Sequence, residues 1–238
     1  MQDVFAQMRS FAAAAFAAIP LALSATPALA IPEDEALKKL SVIPVFLLTS
    51  EQGVPLPIPQ GDDKLLLPMF LQKTRAEKEL STFKKTNPQA KAKVSAIPMN
   101  VANDRVNEMN QKLEADGKKI VTPVVGAPVD LQQATAILRK QGVSTEDIQK
   151  GLSVPVFFHN PFITVNTPNG VKGVFFLSYG DATRASKSIQ GANPEIQAAD
   201  LTNALAQMIE DKKDNFVFYP TADFFTLMKE KEEGGKQN

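Results

Sequence analysis

Ile43-Pro44-Val45-Phe46 and Val154-Pro155-Val156-Phe157 are nearly the same four residues written twice. Proline cannot donate to a β-ladder, and Val and Phe favour pleated, buried surfaces, so each run reads as a buried strand with an irregular start. Further landmarks recur behind each run in the same order. Phe70-Leu71 is echoed by Phe176-Leu177, and Arg75-Ala76 with Leu80 by Arg184-Ala185 with Ile189. Asn87-Pro88 is echoed by Asn193-Pro194, and the stripe Ala102, Val106, Met109 by Leu201, Leu205, Met208. The separation narrows from 111 positions (43 to 154) to 99 (102 to 201), so the match needs insertions and deletions. Recurrence at this scale predicts an internal duplication. The expected fold is α/β: two similar β-β-α-β-α halves, about 40–125 and 152–220, related by a pseudo-twofold axis. A mixed sheet with flanking helices would hold them in one domain over 31–235.

The element pattern supports this reading. Val42 to Leu48 predicts a strand, and the cluster Pro55, Pro57, Pro59, Gly61 a loop. Leu65 to Leu71 is a second apolar run, broken by Pro68. Ala76, Leu80 and Phe83 lie at i, i+4, i+7 and predict a helix over 74–86, ended at Asn87-Pro88 because the residue before proline avoids helical geometry. Val94 to Met99 predicts a strand, Ala102 to Leu113 a helix closed by Gly117, Ile120 to Val125 a strand, and Leu131 to Lys140 a helix. Ser144-Thr145-Glu146-Asp147 opens a short helix with a box-like cap. In the second half, strands are expected over 154–157, 174–177 and 216–219, a turn at Thr167-Pro168-Asn169-Gly170, and a last helix over 222–229.

The first 30 residues stand apart. Arg9 precedes an alanine-rich apolar run from Phe11 to Leu23, and Ala28-Leu29-Ala30 supplies a small-x-small cleavage pattern. This is the layout of a secretory signal peptide over 1–30, although Asp3 weakens its positive start. Export is therefore expected, with cleavage after Ala30. The charge balance of 26 basic and 26 acidic residues lacks the basic footprint that nucleic-acid binding needs, so no nucleic-acid partner is expected. The chain has no Cys, which excludes disulfides, thiolate metal sites and thiol redox chemistry.

The inventory of reactive groups is thin. With one His and no Cys, nitrogen and sulfur metal sites lack ligands, and the carboxylates show no calcium-loop spacing. No Gly-x-Ser-x-Gly surrounds a serine, and no phosphate-cradling glycine loop occurs. His159 follows Phe157-Phe158 and is expected to be a strand-end residue with a local hydrogen bond. Asp62-Asp63 and Glu232-Glu233 are adjacent acids in polar segments, read as exposed charge. No catalytic residue, metal or cofactor is expected.

Apolar surface is what remains. Of 15 Phe, most must be core. Adjacent pairs in a strand point to opposite faces, so a face left incompletely covered would form an apolar groove that marks protein interaction. On that reasoning Phe70, Phe157, Phe158, Phe175 and Phe176 are the candidate polypeptide-binding residues.

These landmarks carry a resemblance. Ser41-Val42-Ile43-Pro44-Val45-Phe46, the turn Glu51-Gln52-Gly53-Val54-Pro55-Leu56, Asn87-Pro88 before Val94 to Met99, and the Val154-Pro155-Val156-Phe157 strand are together similar to the twenty-two-kilodalton Tic family. That family is named for the translocon at the inner envelope membrane of chloroplasts, and the likeness is strongest to its cyanobacterial homologues. It covers about Leu40 to Phe225. It implies a soluble, pseudo-twofold α/β protein between two membranes, in the cyanobacterial periplasm or the plastid intermembrane space. It further implies chaperone-like binding of unfolded or precursor proteins, contact with the outer-membrane translocation machinery, and no catalytic residues. Peripheral membrane association and oligomeric state are left open. The alternatives are a small-ligand binder or enzyme using a carboxylate and His159 in a cleft, or a structural adaptor of a membrane assembly.

Overall fold

The computed structural model describes residues 32–61, 63–189, 194–211 and 213–234, with side chains as far as Lys229. The signal peptide expected over 1–30, Asp62, Asn193 and the side chains of Glu232 and Glu233 lie outside the described residues. The architecture is mixed α/β, with mixed sheets and helices flanking them.

Helix α1 (Glu33–Lys38) leads through a 3-10 turn (Lys39–Val42) into β1 (Pro44–Ser50). Short strands β2 (Ile58–Pro59), β3 (Lys64–Leu66) and β4 (Met69–Phe70) follow, then α2 (Lys73–Thr86), β5 (Ala92–Pro98) and α3 (Met99–Leu113). Strands β6 (Lys119–Val121) and β7 (Val124–Val125) precede α4 (Pro128–Lys140) and α5 (Thr145–Gly151). The remainder runs β8 (Pro155–Asn160), β9 (Thr164–Thr167), β10 (Gly170–Phe176), α6 (Tyr179–Ser188), β11 (Glu195–Asp200), α7 (Leu201–Glu210), β12 (Phe216–Tyr219) and α8 (Ala222–Gly234).

Two of the expected single strands are each divided. Pro68 interrupts 65–71 and Pro123 interrupts 120–125, because a proline removes a ladder donor. The first pieces, β3 and β6, pair in parallel in a small third sheet with β2, whereas the second pieces, β4 and β7, pair in parallel in the first main sheet. Strand β9 was not expected from the sequence. It pairs antiparallel with β10 across the Pro168-Asn169 turn, where Gly170 has φ +106°.

The first main sheet has the order β5-β1-β4-β7 and the second β11-β8-β10-β12. In each, two antiparallel pairings are followed by one parallel pairing. Phe46 stands opposite Phe70 in the first and Phe157 opposite Phe176 in the second. At the strand–helix junctions, Met99 N–H donates to Ile43 O at 2.9 Å and Leu201 N–H to Val154 O at 2.8 Å. One detail departs from the sequence correspondence. With Phe70 matched to Phe176, Ala76 matches Ala182, each wholly buried beneath its helix, and not Ala185. The Arg-Ala dipeptides at 75–76 and 184–185 stand three residues out of register in this correspondence.

Alternation along the strands sets which residues meet. Val45, Leu47, Val156 and Phe175 point to one side and join Met99, Ala102 and Val106 of α3 with Leu201, Ala204 and Met208 of α7 in a common core. Phe46, Phe157, Val174 and Phe176 point to the outer sides. Burying side chains of this size stabilises by about 1.5–3 kcal/mol each, as an upper figure against a compact unfolded chain. Outside, α2 covers the first sheet through Ala76, and α6 and α4 cover the second through Ala182 and Ala134.

Candidate functional site

An open groove of about 610 Å³ lies on the outer side of the second sheet. Phe162, Ile163 and Val165 form one wall at the entry to β9, Ala185 and Ser188 of α6 with Ile189 just beyond it the other, and Val174, Phe176 and Tyr219 the floor and one end. The chain enters β9 through a cis Asn160–Pro161 bond. On the inner face of β10, opposite the groove, Gly173 leaves room for an aromatic cluster: a Cβ there would lie 3.0 Å from the Phe216 ring and 3.1 Å from the Phe162 ring. Those two rings meet at 5.1 Å, and Phe162 stacks on Phe158 at 5.1 Å. The apolar surface continues past the groove, since Tyr219, 40% exposed, lies 6.4 Å from the ring of Phe225, 52% exposed.

Helix α6 is held in place from its N-terminal end. Ser178 caps it by accepting from Asp181 N–H, and buried Asp130 of α4 accepts from Tyr179 N–H at 2.9 Å. Burial pushes the Asp130 carboxyl above its ordinary value, the Tyr179 N–H bond opposes this, and the nearby Asp181 charge adds to it. Asp181 also pairs with Arg184 on the groove rim.

The five sequence-predicted phenylalanines are distributed unevenly about this groove. Phe157 and Phe175 are fully buried, and Phe70 lies inside the first sheet's outer cluster, so these three do not reach the surface. Adjacent pairs do point to opposite faces, but helices cover both faces of the sheets. Phe176 is the member that lines the groove, and Phe158 is half-buried behind Phe162. The sequence reading missed Phe162, Val165, Ile189 and Tyr219. Ile163-Thr164-Val165-Asn166 carried a usable signal, an alternating run directly before a hairpin turn.

His159 lines no cleft. It is wholly buried on β8, on the same outer side as Phe157, and neither ring nitrogen makes a hydrogen bond of normal geometry. This corrects the expected local bond at a strand end. Burial lowers its pKa, and a poorly aligned approach of the Ala182 carbonyl offsets only part of that effect. The imidazole is therefore neutral at pH 7.

A second polar centre joins the 3-10 turn before β1 to the segment before β12. Asp214, at φ +52°, pairs with Lys39 of the 3-10 turn and with the buried Lys172 of β10. Lys39 Nζ also donates to Phe216 O at 2.8 Å, covering the outer edge of β12. Burial alone would raise the Asp214 carboxyl, but the two lysines outweigh it and hold it below its ordinary value. Among the described residues no group of three or more His, Cys, Asp or Glu gathers to hold a metal ion. Among them too, no helix is long and apolar enough to cross a membrane.

The molecule is thus a mixed α/β protein with two main sheets, a small third one and an open apolar groove. No protein-family model matches the sequence, and no curated protein matches it. Solved structures share the fold. "Tic22 from Plasmodium falciparum" superposes with a TM-score of 0.66 at 21% identity, over 83% of this chain and 98% of that one. "Anabaena Tic22 (protein transport)" gives 0.66 at 18% identity, over 84% and 97%. The chain has the Tic22 fold.

Proposed function

We propose that this protein binds apolar segments of unfolded or precursor polypeptides during protein transport, as a non-enzymatic escort outside the cytoplasm. The observation that carries this reading is the open groove lined by Phe162, Val165, Phe176, Ile189 and Tyr219. Its lining suits extended chain: apolar side chains enter between α6 and β9, and the backbone stays near the polar rim of Asp181, Arg184 and Ser188. Phe157 is buried beside Phe176 under the helices, Phe158 and Phe175 pack on the inner face of the same sheet, and Phe70 lies in the first sheet's outer cluster.

The Tic22 fold adds a context of protein transport, taken from the wording attached to the Anabaena structure. With the export signal read over 1–30, it favours the periplasm, or the plastid intermembrane space, and clients bound for an outer membrane. We further take the two main sheets as halves of one duplicated unit about a pseudo-twofold axis. Their common strand order and pairing senses support that origin.

The test is suppression of aggregation of a denatured client by the mature chain, Ile31 to Asn238, compared with Tyr219→Ser and Ile189→Ser. Both positions are at least partly open to solvent, so folding is retained. Loss of suppression in the variants supports the groove; equal suppression places binding elsewhere. No binding by the natural chain contradicts the escort role.

A further inference from the structure

The helices that follow the two main sheets change places. α4 leaves β7 of the first sheet and packs Ala134, Ile137 and Leu138 on the outer face of the second. α8 leaves β12 of the second sheet and reaches the outer face of the first, where Leu227 meets the cluster of Phe46, Phe70 and Ala76. The two seats are unequal. α4 is additionally fixed by Asp130, which accepts from Tyr179 N–H, and by Arg75 Nη1, which donates to Gly126 O at 2.8 Å just before the helix. Within its described side chains, α8 places Leu227 alone in the cluster, and leaves Phe225 52% and Met228 43% exposed.

We propose that α8 is a displaceable resident of a helix-binding face, and that this face takes in its place an acidic amphipathic helix of a client polypeptide. The floor is aromatic and aliphatic, from Phe46, Phe70, Val94 and Val125. The resident seats one residue there, Leu227, with Phe224 one helical turn before it in the sequence. Charge selects the partner. The neighbouring α2 carries Lys73, Arg75, Lys78, Lys84 and Lys85 against Glu77 and Glu79, a net excess of three positive charges, and the sequence of α8 sets Asp223, Glu230, Glu232 and Glu233 against Lys229 and Lys231, a net excess of two negative ones. This rests on the polypeptide-binding reading but uses a different face and a helical, not extended, segment.

The absence of cysteine makes a clean test, because Leu227→Cys with Val94→Cys introduces the chain's only thiols. The probe is a fluorescent peptide copying residues 221–234. It should bind the reduced double variant, bind about tenfold more weakly once the disulfide pins α8, as expected when the competent fraction falls by that factor, and bind a chain ended after Pro220 most tightly. Equal binding in the reduced and oxidised states, no binding in either, or failure of the disulfide to form overturns the proposal. Unfolded, reduced and carboxymethylated α-lactalbumin, measured on the same samples, reports the groove separately. Its loss sinks the escort reading, whereas its retention alongside an insensitive peptide sinks the α8 proposal alone.

Discussion

Phe176 meets His159 edge to face, with ring centroids 5.6 Å apart and planes at 87°. The floor of the groove therefore rests on an imidazole that has no hydrogen-bond partner of normal geometry. Such a contact holds only while the ring is neutral, because a buried cation without a partner is costly.

Acid should weaken this protein through His159. Its folded-state pKa is lowered by burial, so the unfolded chain takes up the proton first as pH falls below about 6.5. Stability is then constant above that value and is lost as pH falls toward the folded pKa, by at most about 1.4 kcal/mol per pH unit. Urea unfolding at pH 7.5 and pH 5 should show a smaller loss in His159→Phe than in the natural chain.

Gly173→Ala should destabilise by about 1–3 kcal/mol, because the added methyl meets the Phe216 and Phe162 rings at 3.0 and 3.1 Å inside a packed cluster. The thermal unfolding midpoint should fall accordingly.

Asp200 is a knot between β11, α7 and the start of β8. One oxygen accepts from Thr202 N–H at 2.9 Å and from its hydroxyl at 2.7 Å, and the other from Ser153 N–H at 2.8 Å and Val154 N–H at 2.9 Å. Asp200→Ala leaves buried donors unsatisfied and should cost about 2–4 kcal/mol, read as a lower urea midpoint. The same place in the first sheet is Pro98, which offers no cap.

Asp214→Asn should cost about 1–3 kcal/mol by leaving the buried Lys172 without its counter-ion, a figure reduced because Asp214 is partly exposed. The Asp214 carboxyl is held low, so this stabilisation is present above the unfolded value near 3.8 and is lost as pH falls through the folded one. Adding Lys172→Met to Asp214→Asn should recover part of the loss in chemical denaturation.

Much of the fold was legible because periodicity and proline report local geometry. The strands at 44–50, 155–160 and 216–219, the helices at 73–86 and 99–113, and the Ser144 cap, whose Oγ accepts from Asp147 N–H, follow from residue pattern alone. The division of 65–71 and 120–125 between two sheets was not legible, since it depends on which distant strand each piece meets. The groove was legible only in part. Sequence shows that Phe157, Phe175 and Phe176 are apolar and alternate, but not which faces α4 and α6 cover. Asp200 carried a local sign only of its cap over Thr202; its bonds to Ser153 and Val154, and those of Asp214 to Lys172 and Lys39, reach 47, 46, 42 and 175 positions and left none.

The central claim is that client polypeptide lies in the groove of the second sheet. A photo-crosslinking residue at Tyr219, exposed at the groove's end, tests it against the same residue at Val54, 57% exposed in the turn after β1. With an unfolded client bound, crosslinks should form from position 219 and stay at background from position 54. Equal yields from both positions, or none from 219, would contradict the account.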